Sequence, residues 1–204
     1  MPAQPIFPTP IYLEKYLDNE IEKELWNAFN NVEFHHEEID NTHDLSLGED
    51  GTLFNDNVLN RFDCQLFLKL LHDNLMLFLD ELGYAGSREY LIEHSWFTKT
   101  NKGQYAPMHY HGSSDISGVY YLQTNGQDGN LTFYSPTKDL ISSFLYSIVD
   151  QKQNMPLEQG LLAFWPGLLY HTTETNMTDH ERISLSFNIQ FPRAGFVLKN
   201  AHTH

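Results

Sequence analysis

The chain has 204 residues, of which 41% are hydrophobic, 14% aromatic and 19% charged. That length suits one compact domain whose core folds without a disulfide or structural metal, and the aromatic share argues against disorder. With 12 Lys and Arg against 27 Asp and Glu, the net charge of −15 opposes nonspecific binding to nucleic acid or to an anionic membrane, where many phosphates must be neutralised.

Met1-Pro2-Ala3-Gln4-Pro5 lacks a basic leader followed by an apolar run, and no apolar stretch approaches the roughly 18 residues of a membrane span. A cytoplasmic protein is expected, the host cytoplasm if the source is a phage. Residues 1–17 read as an extended, Pro-punctuated segment. Asn19 with Glu22 three residues on has the spacing of a capping box and opens a helix over 19–30, with Ile21, Leu25, Trp26 and Phe29 on one face. Residues 31–60 are polar and acidic and read as loops with at most a short strand. A second helix is predicted over 62–82, with Leu66, Leu70, Leu71, Met76, Phe78 and Leu79 as its apolar face and Gly83 as its stop. The single cysteine, Cys64, excludes an internal disulfide and any multi-cysteine metal site, and reads as a buried helix position.

From residue 88 the texture changes to short β-rich runs at 90–100, 105–110, 116–123, 130–134, 143–149, 160–165, 168–173 and 182–191, separated by turn residues. Strands at this spacing, with no helical period between them, point to a sandwich or jelly roll. The expected fold is α+β in a single domain: an extended segment and helices to residue 87, an antiparallel β core over 88–191, and a tail over 192–204.

Most of the 11 histidines need no special role. His35, His36 and His43 lie in the acidic loop region and read as solvated surface; His72 and His94 read as packing or surface positions. His109 and His111 differ. They stand at i and i+2 in Pro107-Met108-His109-Tyr110-His111-Gly112, and on a strand such positions point to one side, so both rings can converge on an ion. Asp115 follows a Gly-Ser-Ser turn. His171 follows a Trp165-Pro166-Gly167 turn. Imidazole suits Fe, Zn, Ni and Cu, and two His with a third ligand and open positions suit non-haem Fe(II).

Ten residues separate His171 from Arg182, and Arg182-Ile183-Ser184-Leu185-Ser186-Phe187-Asn188 alternates as a strand does, placing Arg182, Ser184 and Ser186 on one face. An inward guanidinium in an apolar β core needs an anion. A carboxylate bound by Arg182 and touched by the Ser184 hydroxyl meets that need. A structural salt bridge is the bland alternative.

This spacing resembles the 2-oxoglutarate/Fe(II)-dependent oxygenases, whose signature runs His-x-Asp/Glu, a distant His, about ten residues, then Arg-x-Ser. Ser117-Gly118-Val119-Tyr120-Tyr121-Leu122 and the Arg182–Asn188 run are similar to the 2OG-Fe(II) oxygenase family of phages and marine bacteria, over roughly residues 92–191. The resemblance implies a double-stranded β-helix (cupin-like jelly roll) with the N-terminal helices packed on one sheet. It implies Fe(II) and 2-oxoglutarate as cofactors, O2 as cosubstrate, and hydroxylation of a substrate coupled to decarboxylation of 2-oxoglutarate to succinate. His111 stands where the family usually has a carboxylate. The metal ligands are therefore His109, His111 and His171, or His111 pairs with Asp115 and leaves His109 behind the ligand set, or His109 and His171 bind alone. Arg182 and Ser184 are expected at the far carboxylate of 2-oxoglutarate. One of Tyr120 and Tyr121 must face the cavity, and Tyr121 is the candidate for a further hydrogen bond to that carboxylate. Asn188, Trp96 and Thr98 are candidate cavity walls, and the Gly129–Phe133 turn and strand is expected beside the metal.

Two rival readings remain: a cupin-type metalloenzyme that does not use 2-oxoglutarate, which leaves Arg182 unexplained, and a non-catalytic jelly-roll binding module. The substrate, a small molecule or a protein side chain, is not legible, nor is the oligomeric state; the acidic balance disfavours nucleic acid.

Overall fold

The computed structural model describes residues 8–36, 42–53, 56–136 and 151–192. The expected strand at 143–149 and the tail after 192 lie outside these residues.

The N-terminal segment enters as strand β1, Tyr12–Lys15. Helix α1 follows at Asn19–Phe29, and its cap is Asp18 rather than Asn19: the Asp18 carboxylate accepts from Glu20 N at 2.9 Å and Ile21 N at 3.2 Å. Asp18 satisfies the first-turn N–H groups and brings a negative charge to the positive end of the helix, which a neutral asparagine cannot. Two short strands, β2 (Phe34–His35) and β3 (Asp44–Ser46), pair with each other. The predicted second helix is α3, at Gln65–Glu81, and a further single turn, α2, forms at Val58–Arg61 in the stretch read as loop. Cys64 sits between them at the start of α3, fully buried, and burial pushes its thiol up to about 12, so it is a packing residue. Leu66, expected in the apolar face, is 48% exposed, and Phe67, Leu68, Leu71, Leu75, Phe78 and Leu79 form the buried stripe. Gly83, at φ +68°, ends α3: its N–H reaches Asp80 O, and Tyr84 N reaches Leu79 O. Buried Asn74 on α3 accepts from the hydroxyls of Tyr12 (2.6 Å) and Tyr16 (2.8 Å), which pins the first strand to the helix.

The β core has strands β4 (Leu91–Thr100), β5 (Ala106–His109), β6 (Ile116–Gln123), β7 (Leu131–Tyr134), β8 (Lys152–Met155), β9 (Leu161–Pro166), β10 (His171–Thr173) and β11 (Arg182–Gln190). They form a seven-stranded sheet in the order β1-β9-β6-β11-β4-β3-β2 and a four-stranded sheet in the order β5-β10-β7-β8, all paired antiparallel. This is the double-stranded β-helix, with α1 and α3 on the outer face of the larger sheet. Strands β1 and β8 carry no strong β signal in the sequence; Lys152–Met155 is polar because it is an exposed edge.

Strand β11 divides the molecule. Ile183, Leu185, Phe187 and Ile189 pack outward into the core shared with the helices, whereas Arg182, Ser184, Ser186 and Asn188 face the space between the sheets. The same alternation sorts the tyrosines of β6. Tyr120 points to the helices, edge-on to Phe67 at 5.3 Å and donating to Tyr16 O at 3.0 Å, and Tyr121 points inward. Gly118 lies opposite Phe187, and a Cβ there would come within 2.2 Å of the Phe187 ring, so the strand needs glycine to seat that ring. Among the described residues no helix is long and apolar enough to cross a membrane.

Candidate active site

His109 is the last residue of β5, and its antiparallel partner on β10 is His171. The register alone sets these rings side by side, 4.3 Å between centroids. His111 reaches them by a different route from the one the i, i+2 pattern suggests, because β5 stops at His109. The turn beyond it is fixed by the Trp-Pro-Gly turn: His111 N donates to Gly167 O at 2.8 Å, and Gly167 N to Asp115 O at 3.1 Å. A Cβ on Gly167 would lie 2.1 Å from Ser114 O and 2.9 Å from His111 O, so only glycine allows the two turns to touch. The His111 ring then lies 5.0 Å from that of His109 and 5.2 Å from that of His171. One nitrogen from each of the three lies within 4.8 Å of the others.

Backbone carbonyls select the tautomers. His109 Nδ1 is 2.7 Å from Pro107 O, and His171 Nδ1 is 2.9 Å from Leu169 O. A carbonyl only accepts, so each Nδ1 carries the proton and each Nε2 keeps its lone pair for a metal, the usual outer hydrogen bond of a ligating histidine. Burial, reinforced by the neighbouring His109, lowers His111 to about 4. Burial and then His109 lower His171 to about 3, partly offset by the Leu169 carbonyl. Both rings are therefore neutral and ready to ligate at physiological pH. Trp165 stands edge-on to His171 at 4.8 Å and Trp96 lies 5.7 Å from His111, giving the cluster an aromatic surround.

Asp115, the alternative ligand, stands outside the cluster. Its backbone N–H joins Ile189 O, and its Oδ2 accepts from Phe191 N at 2.9 Å, so it ties the turn to the end of β11.

Arg182 lies at the other end of the same cavity and is 2% exposed. Its Nη1 donates to Asp128 O, and its Nη2 to Thr173 Oγ1 at 3.1 Å. Both acceptors are neutral, and among the described residues no ion pair involves Arg182. The Asp128 carboxylate is turned away, accepting from Thr124 Oγ1 at 2.6 Å and Asn125 N at 3.1 Å. Burial draws the Arg182 pKa below its ordinary value, with Tyr121 and Asp128 opposing the shift. The Ser184 and Tyr121 hydroxyls line this end and have no hydrogen-bond partner among the described residues; burial raises the Tyr121 phenol, so it is a proton donor. The register builds the wall: Arg182 faces Thr100, Ser184 sits between Thr98 and Tyr121, and Ser186 between Trp96 and Val119. Gly129, at φ +101°, lets its loop pass: a Cβ would meet Glu174 O at 2.5 Å and Arg182 Nη1 at 3.1 Å.

The inner cavity measures about 70 Å³. It opens past His109, His111, Trp96 and Asn188 into a vestibule of about 670 Å³, whose walls include His35, His43, His94, Leu45 and Tyr110. His35, His43 and His94, read from the sequence as surface or packing positions, belong to this vestibule. His43 lies on both cavities, its Nδ1 3.2 Å from Tyr105 O. Nothing local marks it, since it arrives on a loop. Thr173 was legible in principle, two residues beyond His171 on the same strand face.

The residues fit Fe(II) and 2-oxoglutarate. The metal end offers three imidazole nitrogen donors and, among the described residues, no carboxylate. The other end offers a buried guanidinium with no ion pair among the described residues and hydroxyls beside it, a cradle for an anion.

Residues 94–188 match the family described as "Putative 2OG-Fe(II) oxygenase". No curated protein matches the sequence. Among solved structures, the fold is similar to SnoN, a non-heme alpha-ketoglutarate-dependent epimerase from nogalamycin biosynthesis (15% identity, 89% of this chain and 78% of that one, TM-score 0.64). It is also similar to an oxidoreductase of the 2OG-Fe(II) oxygenase family from Burkholderia pseudomallei (14% identity, 88% and 83%, TM-score 0.60). HygX from Streptomyces hygroscopicus, solved with nickel and 2-oxoglutarate, is a third (11% identity, 89% and 82%, TM-score 0.59). At these identities the likeness establishes the fold.

Proposed function

We propose that this protein, whose residues 94–188 match the model of the 2OG-Fe(II) oxygenase family with its cofactors Fe(II) and 2-oxoglutarate, hydroxylates a small molecule. When bound, the metal and cosubstrate supply the oxidising chemistry: O2-dependent decarboxylation of 2-oxoglutarate to succinate and CO2, coupled to oxygen insertion into a substrate C–H bond. In the same reading the chain acts in the cytoplasm as one domain.

In this reading His109, His111 and His171 hold the iron through Nε2, and the Pro107 and Leu169 carbonyls hold two of the rings in the ligating tautomer. With three neutral ligands, the charges of Fe(II) and the cosubstrate dianion cancel, which suits an enclosed site of low dielectric. Arg182 binds the far carboxylate, with Ser184 and Tyr121 donating to it. Each such hydrogen bond to a charged acceptor is worth roughly 1.5–3 kcal/mol. Trp96, Trp165 and Val119 exclude water from the space between the two ends. The vestibule receives the substrate. At about 670 Å³ it has the size of a pocket that encloses a whole small molecule, which favours one over a protein side chain. Among the fold neighbours, HygX has been solved with hygromycin B bound.

The single observation that carries the proposal is the pairing, in one cavity, of a three-histidine cluster with a buried arginine, with no carboxylate in the cluster and no ion pair to the arginine among the described residues. The test is succinate formation by the iron-loaded protein in air. Wild type is expected to convert 2-oxoglutarate to succinate slowly alone and faster with its substrate. Failure to form any succinate from a protein holding one equivalent of iron would refute it.

A further inference from the structure

We propose that Thr173 is a hydrogen-bond donor to the far carboxylate of the 2-oxo acid and helps the site select a dicarboxylate over a monocarboxylate. The inference rests on the reading of Arg182 as the carboxylate clamp.

Thr173 stands two residues beyond His171 on β10, so the two side chains share a face, and Thr173 lines the inner cavity with Arg182 and Ser184. Its Oγ1 accepts two hydrogen bonds, from Arg182 Nη2 at 3.1 Å and from Ala106 N at 3.0 Å. A hydroxyl has two lone pairs and one proton. Both lone pairs are engaged, and neither neighbour can receive the proton because both are donors. No acceptor among the described residues receives it either. The proton is left to point into the cavity, beside the guanidinium that draws an anion there. An oxygen of a carboxylate paired with Arg182 is the acceptor this arrangement lacks, and the donor is oriented before the ligand arrives, so little ordering is lost on binding.

The same contact joins the two sheets. Arg182 belongs to the seven-stranded sheet, and Thr173 and Ala106 to the four-stranded sheet that carries His109 and His171. Thr173 thus has a positioning share through Arg182 and a direct share through its own proton, which an experiment can separate.

The experiment is anaerobic calorimetric titration of the Fe(II)-loaded protein with 2-oxoglutarate and with 2-oxopentanoate, which has the same chain length and no far carboxylate. Wild type, Thr173→Val, Thr173→Ser, Arg182→Met and the Arg182→Met/Thr173→Val double variant are compared. Thr173→Val is expected to weaken 2-oxoglutarate about 10- to 100-fold, the range for a lost hydrogen bond to a charged group, and to leave 2-oxopentanoate within about twofold. Thr173→Ser is expected to keep wild-type affinity. In the Arg182→Met background a further loss for 2-oxoglutarate is expected, since the direct donor acts without the arginine. Unchanged 2-oxoglutarate affinity in Thr173→Val overturns the proposal. So does an equal loss for both ligands, which reports distortion of the histidine strand, and so does an absent further loss in the double variant, which assigns Thr173 to positioning Arg182 alone. Failure of wild type itself to bind 2-oxoglutarate overturns the clamp reading instead.

Discussion

The two ends of the inner cavity bury polar groups in opposite ways. At the histidine end burial keeps His111 and His171 neutral, and backbone carbonyls two residues back, Pro107 O and Leu169 O, accept from Nδ1 of His109 and His171. At the arginine end the group is charged, and its hydrogen-bond partners, Asp128 O and Thr173 Oγ1, are neutral. One end is a completed set of donors for a cation, and the other a cation waiting for an anion. A ligand with a metal-chelating head and a carboxylate tail satisfies both, and neither end explains the other without it.

The comparison breaks most completely at the metal. His171→Ala removes the most buried of the three proposed ligands and is expected to lower metal affinity more than about 100-fold, since even outer partners of metal ligands cost 10- to 100-fold; metal content after dialysis reads it. Acid is expected to separate the ends next. Folded His111 and His171 resist protonation to about 4 and about 3, whereas unfolded histidine protonates near 6.5. Between those values the unfolded chain binds more protons, so the stability of the metal-free protein falls as pH drops from about 6.5 toward 4. The slope of Tm against pH over that window is expected to be shallower in His171→Ala, which has lost one such group. Metal is expected to be retained below the ordinary histidine range for the same reason, which metal content after dialysis at about pH 5 checks. Tyr121→Phe touches only the arginine end: it is expected to weaken 2-oxoglutarate about tenfold and leave metal affinity unchanged, which paired metal and cosubstrate titrations check. Asp115→Asn is the smallest change. The amide oxygen still accepts from Phe191 N, so metal affinity is expected to stay within about twofold; a loss like that of His171→Ala would make Asp115 a ligand.

The strands of the β core other than β8, and the Arg182–Asn188 face, were legible because period-two alternation records a sheet with two different sides, one packed on helices and one lining a cavity. The neutral histidine end was less so. His-x-His gives the two residue types, but β5 ends at His109, and the convergence of His111 depends on Gly167 touching Ser114 across the chain. The cap of α1 shows a local ambiguity: Asp18 and Asn19 both qualify as caps, and the turn places Asp18 there. The single turn α2 was read as loop because four residues, Val58–Arg61, are too few to show a helical period. The vestibule was not legible. His35 and His43 arrive on a polar stretch with no period, and only the pairing of β2, β3 and β4 brings that stretch over the site.

The measurement that most directly tests the union of the two ends is anaerobic titration of the Fe(II) protein with 2-oxoglutarate, following the visible metal-to-ligand absorption band, in wild type and Arg182→Met. A band that saturates in wild type, and needs about 100-fold or more cosubstrate in Arg182→Met at equal iron content, is the expected result. Equal titration curves for the two proteins would contradict it, because the arginine end would then hold no part of the ligand that the histidine end binds.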